Sequence, residues 1–286
     1  MKAAFAWRMT GLVTMAILGS AGWVGAGEPE QVEAGETSPR RSKIDELLAG
    51  RKVRQLYAAD FNEPVAVTAE EDLGEKDGEE LKRVKEPETE WVIEGAGEVE
   101  VKDGRLHLRN KGGHTVLWNT RVFPGDFLAE WDFSPSIDNG LAIVFFSMTA
   151  KKNGGSIFQK GLRARRGNFD DYHHGDLHGY HISYFSYKPD ADEPREASHV
   201  RKHWGHHLVA KGTNPVPAKG RGPVRLRLLK LGPRIVIEAD GEVMIDWTDD
   251  GRKGGPAHGG GQFGLRQMER TREAGYGYLT ISEIVK

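Results

Sequence analysis

The residues best suited to chemistry are concentrated in one stretch, HHGDLHGYHISYFSY, which runs from His173 to Tyr187. It holds four histidines, one aspartate and four tyrosine or phenylalanine rings. Eight of the eleven histidines lie between His173 and His207. Such crowding needs a local cause, and three causes compete: metal binding, acid–base chemistry, or hydrogen bonding to a polar ligand.

The segment GYHISYFSY alternates as a β-strand does. Its two faces are Tyr180, Ile182 and Tyr184 on one side, and His181, Ser183, Phe185 and Tyr187 on the other. If Ile182 points into a core, His181 and Ser183 face outward. On a concave sheet that outer face forms a groove, so we expect this segment to be one wall of a binding site.

Metal ligands must converge on one point. His199, His203 and His207 follow one another at intervals of four, a spacing that brings histidines together on a helix, which makes zinc one candidate. The stretch DWTDDG, Asp246 to Gly251, is a weak calcium candidate that also suits a plain hairpin turn. We assign no cofactor, and leave a structural calcium or another metal open.

The enzyme classes that could act at such a site require different catalytic residues. A nucleophile elbow of the G-x-S-x-G type is absent from the sequence, and Glu130 with Asp132 is an unspecific carboxylate pair for a glycosidase. A polysaccharide lyase needs a base, a cation that neutralises a uronate carboxylate, and an acid for the leaving oxygen. By residue type, His181, Arg201 or Lys202, and a tyrosine such as Tyr184 meet these needs.

Composition narrows the class of protein. The chain has 286 residues, a net charge of −2, 37 glycines and no cysteine. The near-neutral charge gives no overall attraction to nucleic acid, so we expect no such partner. The lack of cysteine excludes disulfides and thiol catalysis.

The N-terminus is typical of an export signal. Lys2 and Arg8 precede an apolar run from Gly11 to Ala26 that ends in small residues. The run is about sixteen residues, shorter than the roughly twenty of a membrane span, although an anchor remains the alternative. We therefore predict a signal peptide at 1–26, a charged linker at 27–54 with one short helix at KIDELLAG, and an exported protein, periplasmic or extracellular, with no membrane span after cleavage.

Residues 55–286 are predicted to form a single all-β domain. GEVEVKDGRLHLRN alternates on both sides of Asp103 and Gly104, a strong hairpin signal. FLAEWDFSP also alternates, and GLAIVFFSM is continuously apolar, as in a strand covered on both faces. About ten to twelve such strands without crossover helices favour an antiparallel β-sandwich.

Several blocks together resemble the "domain of unknown function 1961" family. They are FPGDFLAEWDFSP, GLAIVFFS, YHHGDLHGYHISYFS, RKHWGHHLVAKGTNPVP, and DWTDDG followed by GGGQFGLRQM. The resemblance spans roughly Leu56 to Lys286 and implies a concanavalin A-like jelly roll, in agreement with the strand pattern. The family occurs among bacterial polysaccharide-utilisation genes, which implies a carbohydrate role.

The resemblance also implies site residues. Besides Trp118 as an aromatic candidate, the family-like polar positions are His173, Gly175, Asp176, Tyr180, His181, Ser183, Tyr184, Arg201, Lys202, His207, Arg266 and Gln267. Relatives usually continue the histidine strand as SYxRR, whereas this chain has SYFSYKPDADEPREASHVRKH. If those arginines hold an acidic sugar, Arg195 or Arg201 must substitute, or the ligand differs.

Two functions remain open at this point. One is a carbohydrate-active enzyme, a polysaccharide lyase or glycoside hydrolase acting on acidic plant or algal polysaccharide, with His181, Tyr184 and Arg201 as catalytic residues. The other is a non-catalytic carbohydrate-binding protein. In both, the partner is a polysaccharide or oligosaccharide, and the substrate-binding candidates are Trp118, His173, Asp176, Tyr180, Ser183, Lys202, His207, Arg266 and Gln267.

Overall fold

The structure, a computed structural model, describes residues 42–77, 80–187, 197–217 and 222–285. The expected signal peptide at 1–26, residues 27–41 of the expected linker, and Arg195 lie outside the described residues. No helix in the described part of the chain is long and apolar enough to cross a membrane.

Sixteen β-strands, two α-helices and two 3₁₀ turns make up the described part of the chain. The strands are β1 (Lys52–Ala59), β2 (Val67–Ala69), β3 (Gly74–Asp77), β4 (Glu80–Arg83), β5 (Trp91–Lys102), β6 (Arg105–Phe123), β7 (Phe127–Pro135), β8 (Gly140–Ala150), β9 (Leu177–Tyr187), β10 (Ala197–His203), β11 (His207–Thr213), β12 (Val224–Leu231), β13 (Arg234–Ala239), β14 (Glu242–Thr248), β15 (Gly261–Gln267) and β16 (Glu273–Val285). The helices are α1 (Lys43–Leu48) and α2 (Phe169–His173), and the 3₁₀ turns are Glu70–Leu73 and Glu269–Thr271.

Fourteen strands form one hydrogen-bonded network in the order β11-β10-β9-β8-β15-β6-β16-β7-β12-β13-β14, with β1, β2 and β5 attached beside it. Every pairing in it is antiparallel except that of β2 with β5. Val144 and Ile182, from strands near one end of this order, share a buried core with Leu226 and Ile237 near the other end. The network therefore folds over itself, which confirms the predicted concanavalin A-like β-sandwich. We call β8–β11 and β15 the front layer, and β7 and β12–β14 the back layer.

Aromatic rings fill the space between the two layers. Trp131 of β7 makes edge-on contacts with Tyr184 of β9 and Phe263 of β15, with ring centroids 5.6 and 5.9 Å apart. All three side chains are buried. Removing such a side chain from water contributes about 1.5–3 kcal/mol, so this contact holds the front layer to the back layer.

The hairpin predicted at Asp103 and Gly104 joins β5 to β6. Both residues have positive φ angles, 52° and 68°, as a two-residue turn of the I′ type requires. Glycine adopts this conformation without strain and aspartate tolerates it, which is why Asp-Gly marks the turn in the sequence.

The ordered domain begins earlier than the predicted boundary at residue 55. Residues 43–54 form α1 and the start of β1. Ser42 caps α1 and donates a hydrogen bond to Glu238 at 2.6 Å, while Ile44 is fully buried against Leu128 on the outer face of the back layer. The helix lies where KIDELLAG predicts one, but the charged composition of the segment concealed the short apolar face that attaches it to the sandwich.

A β-bulge in β9 changes which side chains face outward. The register between β8 and β9 shifts opposite Ala142 and Ile143, which leaves Tyr184 as an extra residue. Tyr184 and Phe185 consequently both lie in the core between the layers, and Ser186 returns to the outer face. The expectation that Phe185 faces outward is therefore wrong, because strict alternation does not continue through a bulge.

Candidate functional site

A cross-strand row of side chains forms the floor of the candidate site on the outer face of the front layer. In register, Arg266 of β15 pairs with Ile143 of β8, Ile143 with Ser183 of β9, Ser183 with His199 of β10, and His199 with Lys211 of β11. Directly paired residues present their side chains on the same face of a sheet. All five accordingly line one cavity.

A second row runs beside the first. His181 of β9 pairs with Arg201 of β10, which in turn pairs with Leu208 of β11. These three side chains line the same cavity. The sheet register thus places the cationic Arg201 next to His181, and these are the residue types that a uronate lyase needs as cation and base.

The segment between β8 and β9 covers one side of this face. Asn168 and Asp171 form a capping box that starts α2, because each side chain accepts a hydrogen bond from the other's backbone N–H. The helix brings Phe169 and His173 to the cavity. Phe169 is 45% exposed, so an aromatic ring stands at the rim of the site.

Buried charges attach this covering segment to the sheet. The guanidinium of Arg165 lies 2.6 Å from a carboxylate oxygen of Glu94 on β5, and the hydroxyl of Tyr172 donates to Glu94 at 2.8 Å. Arg83 pairs with Glu70 in the same network. Breaking a buried pair by removing one partner costs about 3–5 kcal/mol. The position of α2 is therefore fixed by strong and specific contacts.

The cavity has a volume of about 400 Å³ and a strongly basic lining. Its nitrogen-bearing side chains are His173, His181, His199, Arg201, His206, Lys211 and Arg266. Ser183 and Ser186 add hydroxyls, and Leu141 and Met268 add apolar surface. No carboxylate lines the cavity among the residues that the structure describes.

Four histidines converge at one end of the cavity. The Nδ1 of His181 lies 2.6 Å from the Nε2 of His203, and the rings of His173 and His206 have centroids 3.7 Å apart. Burial, followed by the neighbouring histidines, lowers the pKa of His181 well below its usual range. Burial also lowers the pKa of His203 to about 3 and that of His206 to about 4. These rings are therefore neutral at neutral pH, and each keeps a lone pair.

Arg266 is the deepest cation of the site. Its side chain is buried, its guanidinium lies 4.6 Å from the ring centroid of Tyr172, and it donates to the carbonyl of Gly167 at 3.0 Å. The buried Nε has no hydrogen-bond partner in the described part of the chain. A buried guanidinium with an unused donor favours an anionic ligand.

A second cavity of about 290 Å³ adjoins the first. The two share Leu141, Ser186 and Met268 in their linings, so they form one continuous depression. The second also contains Glu269 and Arg270, so its charge is mixed. An elongated ligand that fills both cavities would thus contact a positively charged surface in the first cavity and a surface of both charges in the second.

Two of the expected aromatic site residues lie in hydrophobic cores. Trp118 is fully buried beneath the covering segment and stacks on Phe145, with centroids 5.1 Å apart. Tyr184 is buried between the layers through the bulge described above. Neither side chain lines the cavity, so the structure gives both a packing role.

Tyr180 and Lys202 lie on the opposite face of β9 and β10 from His181. The Nζ of Lys202 is 2.7 Å from a carboxylate oxygen of Asp249, and the hydroxyl of Tyr180 donates to the same carboxylate at 2.6 Å. Lys202 also donates to the Pro256 carbonyl at 3.1 Å. These polar groups satisfy one another's hydrogen bonds, and they hold the connection between β14 and β15 against the sheet.

The remaining expected ligands are also outside the cavity. Asp176 accepts a hydrogen bond from the backbone of Arg163 at 3.2 Å, and Gln267 is buried and donates to the Tyr276 hydroxyl at 3.2 Å. His207 pairs with Lys202 and shares its face of the sheet. Of the expected residues, the structure thus brings together His173, His181, Ser183, Arg201 and Arg266.

The expected carboxylate sites have basic partners. Glu130 and Asp132 pair with Arg227 and Arg225, at 2.9 and 3.2 Å. In the calcium candidate, Asp246 is bound by Arg234 at 2.7 Å. These ion pairs connect neighbouring strands on the surface of the back layer, so the carboxylates have a structural function.

Besides aliphatic residues and Met268, the lining contains five residues that were not expected to bind a saccharide: Phe169, Ser186, His206, Lys211 and His199, which was considered only as a metal ligand. His199 and Lys211 could be found only from the register of β9, β10 and β11, since they complete the row that begins at Arg266. Phe169 and His206 lie outside the strands, where alternation gives no signal.

Comparisons with known proteins agree with this architecture. The sequence profile of "Domain of unknown function (DUF1961)" matches residues 80–281. YesU, an uncharacterised protein of Bacillus subtilis strain 168, is 34% identical over 190 residues, which cover 65% of this chain and 86% of YesU. The crystal structure of a Bacillus subtilis protein of unknown function with a galectin-like fold superimposes with a TM-score of 0.68 and 30% identity, and the match covers 82% of this chain and 99% of that one. With a matched profile over most of the sandwich and a relative of this identity, the chain belongs to the DUF1961 family.

Proposed function

We propose that this protein binds an acidic saccharide, one that carries uronate carboxylates, in the depression on the front layer. The observation that carries the proposal is the lining of the 400 Å³ cavity on the front layer: Arg201, Lys211 and Arg266 converge there, and no described lining residue is acidic. Cations that converge in a partly enclosed site attract an anion and bind its carboxylate strongly.

Three further observations favour a saccharide over a small anion. Phe169 is an exposed aromatic at the rim, suited to stacking on the apolar face of a sugar ring. Ser183 and Ser186 offer hydroxyls for hydrogen bonds. The adjoining second cavity extends the site to more than one sugar unit. A carbohydrate role is also what the family resemblance implies, and an export signal at 1–26 would bring the protein to such a ligand outside the cytoplasm.

Catalysis by β-elimination is the second candidate. His181 is next to Arg201 in the cavity. In this reaction His181 removes the proton alpha to the uronate carboxylate, and Arg201 neutralises the charge of that carboxylate. The strongly lowered pKa makes His181 a weak base, which disfavours this reaction. Hydrolysis by a carboxylate pair has less support, because the described lining of the cavity has no carboxylate.

A calorimetric titration with oligogalacturonate tests the proposal, with the fully methyl-esterified oligomer as a neutral ligand of the same backbone. We expect saturable binding of the acid form, weakened by added salt, and at least tenfold weaker binding of the ester. Equal affinity for both forms, or none for either, would refute an acidic-saccharide site. Ultraviolet absorbance of unsaturated uronates and assays of reducing ends, recorded in the same samples, separate a lyase, a hydrolase and a binding protein.

A further inference from the structure

We infer that His173, His181 and His206 bind a divalent transition metal ion, with Zn²⁺ as the best-matched ion. One ring nitrogen from each histidine lies within 4.8 Å of the other two. Tetrahedral zinc with bonds of about 2.1 Å places its ligands about 3.4 Å apart. A shift of about 1.4 Å in the side chains therefore closes the site.

The three ligands come from different elements, and two of them can adjust. His181 is fixed on β9, whereas His173 ends the short α2 and His206 lies in the connection between β10 and β11. Rotation of the latter two rings about their side-chain bonds leaves the sheet intact. The fold thus supplies one rigid ligand and two that can close around an ion.

Unpaired nitrogen atoms give a second, independent indication. The Nδ1 atoms of His173 and His206 are buried and have no hydrogen-bond partner in the described part of the chain. Buried polar atoms are nearly always paired, and exceptions call for an explanation such as a missing ion. Coordination by these nitrogens, or hydrogen bonds formed as the rings turn, would satisfy them.

His203 supports the three-histidine cluster through a contact with the ring of His181. Its Nε2 lies 2.6 Å from the Nδ1 of His181. Metal-binding histidines commonly use one ring nitrogen for the ion and the other for a hydrogen bond that fixes the ring. His203 occupies the position of that supporting partner, and its full burial keeps it there.

Zinc fits this ligand set better than the other common ions. Three imidazoles suit zinc and its neighbours among the transition metals, while calcium and magnesium prefer oxygen ligands. Arg201 and Arg266 line the same cavity, and their charges oppose a dication. Only unprotonated imidazoles coordinate metal, and burial, ahead of every other cause, lowers the pKa of His173, His181 and His206.

The test is a zinc titration of protein without an affinity tag, stripped of metal by a chelator. We expect one Zn²⁺ per chain, a rise in melting temperature, and no comparable effect of Ca²⁺ or Mg²⁺. His206→Ala should weaken zinc binding at least tenfold, while His174→Ala, an exposed neighbour outside the cluster, should bind as the wild type does. X-ray absorption at the zinc edge of the wild type should show three imidazole ligands and requires no variant.

The inference fails if the wild type shows no saturable zinc binding, if His206→Ala titrates like the wild type, or if the absorption spectrum shows fewer than three imidazoles. Circular dichroism establishes that each variant is folded. The saccharide titration is performed separately in chelator, so failure of the metal site and failure of the proposed function give different results.

Discussion

Arg201 on β10 lies directly opposite His181 on β9, in antiparallel register and on the outer face of the front layer. This pairing puts a permanent cation beside a neutral imidazole at the wall of the cavity on the front layer. It also provides a cation beside the histidine strand, as binding of a uronate carboxylate requires.

Arg201→Ala should weaken the binding of oligogalacturonate by about tenfold to 100-fold, because a hydrogen bond to a charged group contributes about 1.5–3 kcal/mol. The affinity of the methyl-esterified oligomer should change little. Arg252→Ala removes an exposed arginine outside the cavity and serves as the matched control. Calorimetry that gives the same affinity for Arg201→Ala and wild type would remove this residue from the site.

Phe169 and Trp118 should respond to replacement in opposite ways. Phe169→Ala should reduce saccharide affinity about tenfold with a small change in stability, since the ring is exposed at the rim. Trp118→Ala should lower the free energy of unfolding by about 3–5 kcal/mol, because it leaves a large cavity beneath the covering segment. Urea denaturation and calorimetry on both variants check this contrast. A stable Trp118→Ala protein that has lost only ligand binding would restore tryptophan to the site.

Lys202→Met should destabilise the protein by about 3–5 kcal/mol, because it leaves the buried carboxylate of Asp249 without its cation. The double variant with Asp249→Asn should lose less stability than the sum of the two single variants. Lys253→Met, at an exposed position, is the control. Urea denaturation of the wild type, the two single variants and the double variant measures the coupling. Additive losses would show that the pair contributes little.

His258 should make stability depend on pH. Burial, then Lys202 and His178, lowers its pKa to about 4, against about 6.5 in an unfolded chain. The unfolded chain therefore binds the proton first, so this contribution is complete above about pH 6.5 and is lost as the pH falls towards 4. Asp249 and Lys230 also act on the ring.

Between pH 6.5 and 4, the free energy of unfolding should fall more steeply in the wild type than in His258→Asn, by up to about 1 kcal/mol per pH unit. Denaturation curves at a series of pH values, recorded in chelator, give the two slopes. Parallel slopes would mean that His258 is protonated equally in the folded and unfolded chains.

The sandwich could be predicted from the sequence because its signals are local. Alternation, apolar runs and the Asp103-Gly104 turn each depend on neighbouring residues, and the structure contains the corresponding strands and hairpin. The early start of the domain could not be predicted in this way. The short helix itself could be predicted at KIDELLAG, but its one buried residue, Ile44, is too small an apolar signal to predict that the helix packs on the sandwich.

The site was predictable only in part, for two physical reasons. Both faces of β9 are buried, one by the back layer and the other by the covering segment, so polarity did not distinguish Tyr180 and Tyr184 from His181. The row from Arg266 to Lys211 depends on pairing between strands that are far apart in the chain. Alternation predicts two faces of a strand, but neither the bulge at Tyr184 nor the partner strands.

A crystal structure of the protein with trigalacturonate would locate the saccharide site directly. We expect the sugar in the depression on the front layer, with a carboxylate bound by Arg201 or Arg266 and a sugar ring against Phe169. A ligand bound elsewhere, with this cavity occupied by solvent alone, would refute the proposed saccharide site.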